Sequence, residues 1–427
     1  SINLAASGTG NTPAFTATNT GTAPVVATIT VTPSANGCTG TPVSYTITVN
    51  PTPVVSVPAD AAYCNGIAVP ATNFTSPTTG ASFDWTNSNT AIGLGNSGTG
   101  NIAGFTATNT GTATISATIT VTPSANSCTG TPSSYVITVY PTPLVSVPAN
   151  VTVCNNGSVA SGVFTSATTG TTFAWTNDTP SIGLANNGTG NAPAFTAVNT
   201  GTTPVVATIT VTPTANGCSG TPVSYTITVN PTDNPAFNYT PSTLCITGTD
   251  TPATITGGAT GTFTSSPAGL VFLNTTSGLI DVSASTIGNY VVTFTTNGTC
   301  SASATANVSI TNAPDATINY GGPYCLYDGD PLPTFGPGAS AGLFSSAAGL
   351  SINASTGEID LSASTPGSYT ITNSIAAAGG CAATSATANI VINPTPTVTA
   401  EADQSWCNGA AVPLNTRTGP VSGTTFA

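Results

Sequence analysis

Ten cysteines carry most of the chemistry open to this 427-residue chain: Cys38, Cys64, Cys128, Cys154, Cys218, Cys245, Cys300, Cys325, Cys381 and Cys407. The sequence has no histidine and no Cys-x-x-Cys pair, so the usual ligand sets for zinc are missing. An even count at regular spacing reads instead as a disulfide framework formed in an oxidising compartment. Two pairings suit the spacing. Bonds within domains would join Cys64 to Cys128, Cys154 to Cys218, Cys245 to Cys300 and Cys325 to Cys381. Bonds across the linkers would join Cys38 to Cys64, Cys128 to Cys154, Cys218 to Cys245, Cys300 to Cys325 and Cys381 to Cys407. The first set is the expectation, because it staples each small core where the second only ties the linkers. It leaves Cys38 and Cys407 for a bond between copies.

The remaining side chains offer little catalytic chemistry. Asp and Glu total 13 against one cation, Arg417, for a net charge of −12. General-base histidines, Schiff-base lysines and phosphate clamps are therefore ruled out, and a carboxylate pair is the only catalytic device left. Asp84, beside Trp85, has Ala174 in the equivalent place of a sibling stretch and no second carboxylate near it in sequence. It reads as a solvent-facing strand residue, and the chain is expected not to be an enzyme. "DGD" at residues 328–330, with Glu358 and Asp360, offers oxygen ligands of the kind Ca2+ takes, although a polar turn is the favoured reading. "SGTGNIAG" at residues 97–104 has the glycines of a phosphate loop, but no helix pattern or cation follows, so a hairpin turn is expected. No cofactor is expected. The acidic balance argues against nucleic acid or anionic lipid as a partner. No apolar run approaches the roughly 18 residues that cross a bilayer, so membrane insertion is not expected.

The elements that position the cysteines come from a repeat. Cys64 recurs as Cys154, Cys128 as Cys218 and Trp85 as Trp175, each at the same interval. Long units fill residues 51–140 and 141–230, and shorter ones fill 231–312 and 313–393. Residues 1–50 match the second part of a long unit and residues 394–427 the first part. Linkers such as "NPTP" at residues 50–53 and 393–396 and "YPTP" at 140–143 favour extended, stiff connections. In "ATISATITVTP" at residues 113–123, Ile115, Ala117, Ile119 and Val121 share one face. Tyr135, Ile137 and Val139 do the same in "SSYVITV", giving a hairpin of half-buried strands. Phe83 and Trp85 point inward on another strand. With 45 Gly, 34 Pro and no Met, the chain reads as all-β: a tandem array of immunoglobulin-like antiparallel β-sandwich domains forming an extended rod.

The strings "YTITVNPTP", "ANGCTGTP", "WTNSNTAIGL" and "TGEIDLSASTPGSYTI" resemble the PKD-like and Ig-like repeats of large secreted Bacteroidota surface proteins, including gliding-motility-type adhesins. The resemblance covers essentially the whole chain. It implies an extracellular or cell-surface protein, exported by a type IX-like route, whose repeats build stalks and fibres. The functional expectation is a structural filament or adhesin stalk. The alternative is a glycan- or cell-binding module, for which Trp406 is the one candidate aromatic platform; the sequons at Asn73, Asn150 and Asn297 also make glycans candidate attachments.

The terminal strings add a last expectation. "VSGTTFA" at residues 421–427 aligns with residues 168–174, and "SINLAASGTG" at residues 1–10 aligns with residues 181–190. The six residues between those two stretches match neither end. Residues 394–427 of one copy and 1–50 of the next are therefore expected to complete one sandwich, closed by a Cys407–Cys38 bond, in a head-to-tail filament whose partners are further copies of the chain.

Overall fold

The computed structural model describes residues 2–398, 402–413, 419, 421 and 425; Arg417 and most of the 421–427 string lie outside them. The described residues are all-β apart from two single 3-10 turns. The chain divides into two compact units, Ser1–Pro231 and Thr232–Ala427.

In the first unit the alternating strings become the two longest strands of each sandwich. Ile115–Ala125 and Ser133–Tyr140 pair antiparallel with Ile115 opposite Val139 and Ile119 opposite Tyr135. That register puts every second side chain on one face, and Ala117, Ile119, Val121, Tyr135, Ile137 and Val139 are buried there with Trp85. Ser82–Asn87 adds to one edge, followed by Ser97–Thr99. The facing layer is made of short pieces: Ala68–Val69 paired with Phe105–Thr106, and bridges at Ser56–Thr75 and Thr72–Ile102. It contributes Val69, Phe74 and Ile102 to the core. Residues 141–230 repeat the plan with Val205–Ala215, Val223–Asn230 and Thr172–Asn177.

One pairing departs from the all-antiparallel expectation. Ala61–Cys64 runs parallel to Ser133–Tyr140, and Val151–Cys154 parallel to Val223–Asn230. The period of two that reveals a strand is the same in either direction, so the alternation gave no sign of it.

Two local devices explain strings that repeat in the sequence. The buried Asn109 donates to the carbonyls of Ala113 (2.9 Å) and Val139 (2.8 Å), and its oxygen accepts the Gly111 N–H. Asn199 and Asn19 make the same contacts, which accounts for "NTGT" in all three copies. Gly98 and Gly188 lie under the indoles of Trp85 and Trp175, where a Cβ would overlap the ring.

Residues 1–50 hold the short pairing of Ser34–Ala35 with Cys38–Thr39 and the hairpin of Val25–Val31 with Val43–Val49, in the same register, with Ile29 opposite Tyr45. Its apolar face is open. Tyr45 is 46% exposed where Tyr135 and Tyr225 are each 4%, and Val31 is 49% exposed where Val121 is fully buried.

The second unit builds shorter sandwiches. One sheet orders Thr243–Cys245, Ser303–Thr311, Gly288–Thr296 and Gly261–Ser266; the other orders Tyr324–Cys325, Thr384–Asn393, Gly367–Ile375 and Leu343–Ser346. Phe263 and Phe294 stack at 4.5 Å in the first core. The "IDVSAS" and "IDLSAS" strings are turns. Asp281 accepts the Ala284 N–H (2.9 Å) and the Ser283 hydroxyl (2.8 Å), and Asp360 accepts the Ala363 N–H (2.9 Å) and the Ser362 hydroxyl (2.7 Å). Tyr239 and Tyr320 then anchor the neighbouring loops by donating to the Gly278 and Gly357 carbonyls.

The Trp–Gly contact sets a stability test. Gly98→Ala is expected to cost about 1–3 kcal/mol by overpacking, read as a lowered melting temperature. Gly95→Ala, with open space around it, is expected to change stability by less than about 0.5 kcal/mol.

Candidate functional site at the domain junctions

The cysteines sit at two recurrent places. The first cysteine of each domain ends the edge strand that runs parallel to the last strand: Cys64 opposite Tyr140, Cys154 opposite Asn230, Cys245 opposite Thr311 and Cys325 opposite Asn393. That is the end from which the linker to the next domain leaves. In the long units the second cysteine lies in the hairpin before the last strand, as Cys128 and Cys218 do.

These places rule out bonds within a domain. The last strand, Ser133–Tyr140, separates Cys64 from Cys128, and eight residues at about 3.4 Å each span roughly 25 Å. A disulfide needs Cα atoms within about 7 Å. The observed bonds join successive domains: Cys64 to Cys218, with Cα atoms 5.6 Å apart, and Cys245 to Cys381, at 4.8 Å. Cys154 and Cys300 are disulfide-bonded as well. The expected pairs Cys64–Cys128, Cys154–Cys218, Cys245–Cys300 and Cys325–Cys381 are thus corrected, and so are the linker-spanning alternatives that use these cysteines. Sequence intervals count residues along the chain and do not say at which end of a sandwich a residue emerges.

The surroundings of each bond fit it closely. Gly220, two residues after Cys218, lies against the Pro143 carbonyl of the linker, where a Cβ would overlap the oxygen. Asn65, next to Cys64, donates to the Thr142 hydroxyl at 3.1 Å. Between the short domains, Thr311 donates to the Gly379 carbonyl, and the Cys381 sulfur lies 3.3 Å from the Asn312 carbonyl oxygen. The "CSGTP" string at residues 218–222 thus carries a cysteine for the bond and a glycine for the linker.

Four cysteines are free: Cys38, Cys325 and Cys407, all exposed, and the half-buried Cys128. Gly130 touches the Pro53 carbonyl as Gly220 touches Pro143, and Asn50 donates to the Asn126 carbonyl at 3.0 Å, in the turn just before Cys128. The linker contact at Cys128 is built, while its sulfur has no bonded partner.

The other candidates resolve into structural parts. Asp84 is exposed on its strand, with Thr99 and Thr122 opposite on the two neighbours. Residues 97–104 form the Ser97–Thr99 strand and a left-handed turn at Gly100. The carboxylates of Asp328 and Asp360 accept the N–H groups of Cys325 and Ala363 in their own turns, and Asp330 accepts that of Leu361 in the loop beside it, so all three are engaged by backbone. No group of three or more ligating acids or thiols forms among the described residues. Trp85 and Trp175 are buried, whereas Trp406 is 49% exposed. Among the sequons, Asn73 is exposed; the Asn150 and Asn297 side chains accept bonds from the Thr226 N–H and the Thr260 hydroxyl. No helix among the described residues is long and apolar enough to cross a membrane.

Residues 151–233 match the family model described as a PKD-like domain. No curated protein matches the chain. Among solved structures, the protocadherin gamma B4 extracellular domain is similar at 11% identity and a TM-score of 0.32, covering 87% of this chain and 72% of that one. Mouse cadherin-23 EC22-24 has the same identity and TM-score, covering 61% and 99%. Dpr2 Ig1-Ig2, in complex with DIP-Theta, is similar at 9% identity and a TM-score of 0.29. Likenesses this distant say nothing of function.

Two expectations follow. Digestion without reduction should recover Cys64 joined to Cys218 and Cys245 joined to Cys381, and reduction should lower stability by about 2–5 kcal/mol; an unchanged melting temperature in reductant would contradict a stabilising role. The turn carboxylates predict an acid dependence. Backbone and hydroxyl donors hold Asp178, Asp281, Asp315 and Asp360 below the usual carboxylate value of 3.8. Their contribution is complete above that value and is lost as the pH falls through the lower folded values. Melting temperature should therefore stay flat through mildly acidic pH and drop below about pH 4, with a shallower drop in an Asp281→Asn, Asp360→Asn variant.

Proposed function

We propose that the chain is a non-catalytic structural component of an extracellular filament or adhesin stalk, its copies arranged head to tail so that residues 1–50 of one copy complete the domain begun by residues 394–427 of the copy before it. The observation that carries this reading is the open hairpin of residues 25–49. It has the register of the intact domains but leaves Tyr45 and Val31 exposed, and among the described residues neither of its edges has the neighbours that Ala61–Cys64 and Ser82–Asn87 provide in residues 51–140. An apolar face with free backbone edges favours addition of strands from another chain. The contact uses two different surfaces, so it propagates instead of closing. Disulfides, tandem sandwiches and the PKD-like match support a secreted or surface location, and the resemblance to Bacteroidota surface repeats supports the stalk role.

A second reading rests on Trp406. Exposed beside Cys407, it offers an aromatic face of the kind that stacks on sugars. In that reading the chain is a glycan- or cell-binding adhesin module.

Light scattering and electron microscopy of the purified 427-residue chain decide between them. Concentration-dependent fibres, lost on deletion of residues 394–427, are expected. A monodisperse monomer at all concentrations would overturn the filament reading. Glycan binding abolished by Trp406→Ala would establish the second.

A further inference from the structure

The four free thiols follow a rule visible in the bonds already made. In both observed pairs the first cysteine of one domain joins the second cysteine of the next, Cys64 to Cys218 and Cys245 to Cys381. Cys325 and Cys407 are first cysteines with no following partner in the chain, and Cys38 and Cys128 are second cysteines with no preceding one. We propose that they are the halves of two bonds between successive copies, Cys325 to Cys38 of the next copy and Cys407 to Cys128 of the next copy. This rests on the head-to-tail reading and replaces the single Cys407–Cys38 bond expected from the sequence.

Three features of the structure fit. A strand ending in Cys407 and added parallel to Val43–Val49 in the register of Cys64 opposite Tyr140 places Cys407 opposite Asn50. Asn50 already touches the turn that carries Cys128. The glycine that lies against the linker beside Cys218 also has its counterpart at Cys128, since Gly130 meets Pro53 as Gly220 meets Pro143. At the other junction, Gly40 meets only its own Pro33, so the place of a linker carbonyl is open for one from residues 393–396. A Cys407–Cys38 bond, by contrast, would join the two ends of one sandwich, which the last strand holds roughly 25 Å apart in residues 51–140. In the alignment of the terminal strings, with six intervening residues, Cys407 to Cys128 of the next copy spans 154 residues, the interval between Cys64 and Cys218.

Each bond forms by thiol–disulfide exchange with a small external disulfide such as oxidised glutathione. Two thiols lose two protons and two electrons, one sulfur–sulfur bond forms, and the external disulfide is reduced to two thiols. The copies are then tied by two covalent bonds per contact.

The test uses the full 427-residue chain in a glutathione redox buffer. Non-reducing electrophoresis is expected to show a ladder that collapses in dithiothreitol. Peptic mapping should recover Cys325 with Cys38 and Cys407 with Cys128. Cys407→Ser should keep the ladder through the remaining bond, and a Cys325→Ser, Cys407→Ser variant should lose it while keeping the parent melting temperature. Fibres in which Cys407 is recovered with Cys38, or in which all four thiols still react with maleimide, would overturn the pairing and leave the head-to-tail reading intact. Monomers by light scattering in both oxidised and reduced buffer would overturn the head-to-tail reading itself.

Discussion

The covalent tie between the end of one sandwich and the start of the next is the constraint around which the junctions are arranged. A domain of this size buries a modest apolar core and is marginal alone. Cys64 reaches its partner because the edge strand runs parallel to the last strand and finishes beside the linker. Cys218 reaches it because its hairpin turns back toward the same linker, and Gly220 lets the two backbones touch. Reversing the edge strand would move its cysteine to the opposite end of the domain. The parallel pairing, the glycine and the linker therefore form one device.

The device suits a chain with almost no charge. With one cation, surface ion pairs cannot tie neighbouring domains. Polar side chains instead close turns, as Asn109, Asp281 and Asp360 do, or bond a neighbouring domain's backbone singly, as Asn50 and Thr311 do beside the sulfur and backbone contacts. The Ser and Thr rows keep the outer strand faces hydrated, while the alternate positions fill the core.

Much of the fold could be read from the sequence because it depends on local alternation. Ile119 opposite Tyr135 and the inward Trp85 follow directly from a period of two. The residues of the terminal hairpin show the same pattern, although their burial depends on strands that the pattern alone cannot supply. The disulfides were legible as cysteines but not as pairs. Their pairing depends on strand direction and on which end of the sandwich faces a linker, and neither leaves a mark in composition or spacing. A signal was nonetheless present: the glycine two residues after Cys128 and Cys218 recurs with the proline linkers, and its role became visible only when Pro53 and Pro143 were seen against Gly130 and Gly220.

The placement of the bonds also sets how a unit carries load. Residues 65–217 lie inside the loop closed by Cys64 and Cys218, so a pull applied outside that loop passes through the sulfurs and cannot lengthen the chain between them. The remaining path runs from Cys218 along Val223–Asn230, a strand already extended and paired on both edges, with Val205–Ala215 on one side and Val151–Cys154 on the other. Its hydrogen bonds run across the strand and are loaded together in shear instead of being opened one at a time. The same geometry recurs where Cys245 and Cys381 enclose most of two shorter sandwiches and Thr384–Asn393 continues from the bond. Stretching such an array meets covalent bonds first and the sandwich cores only afterwards, so the small cores take up little of the extension.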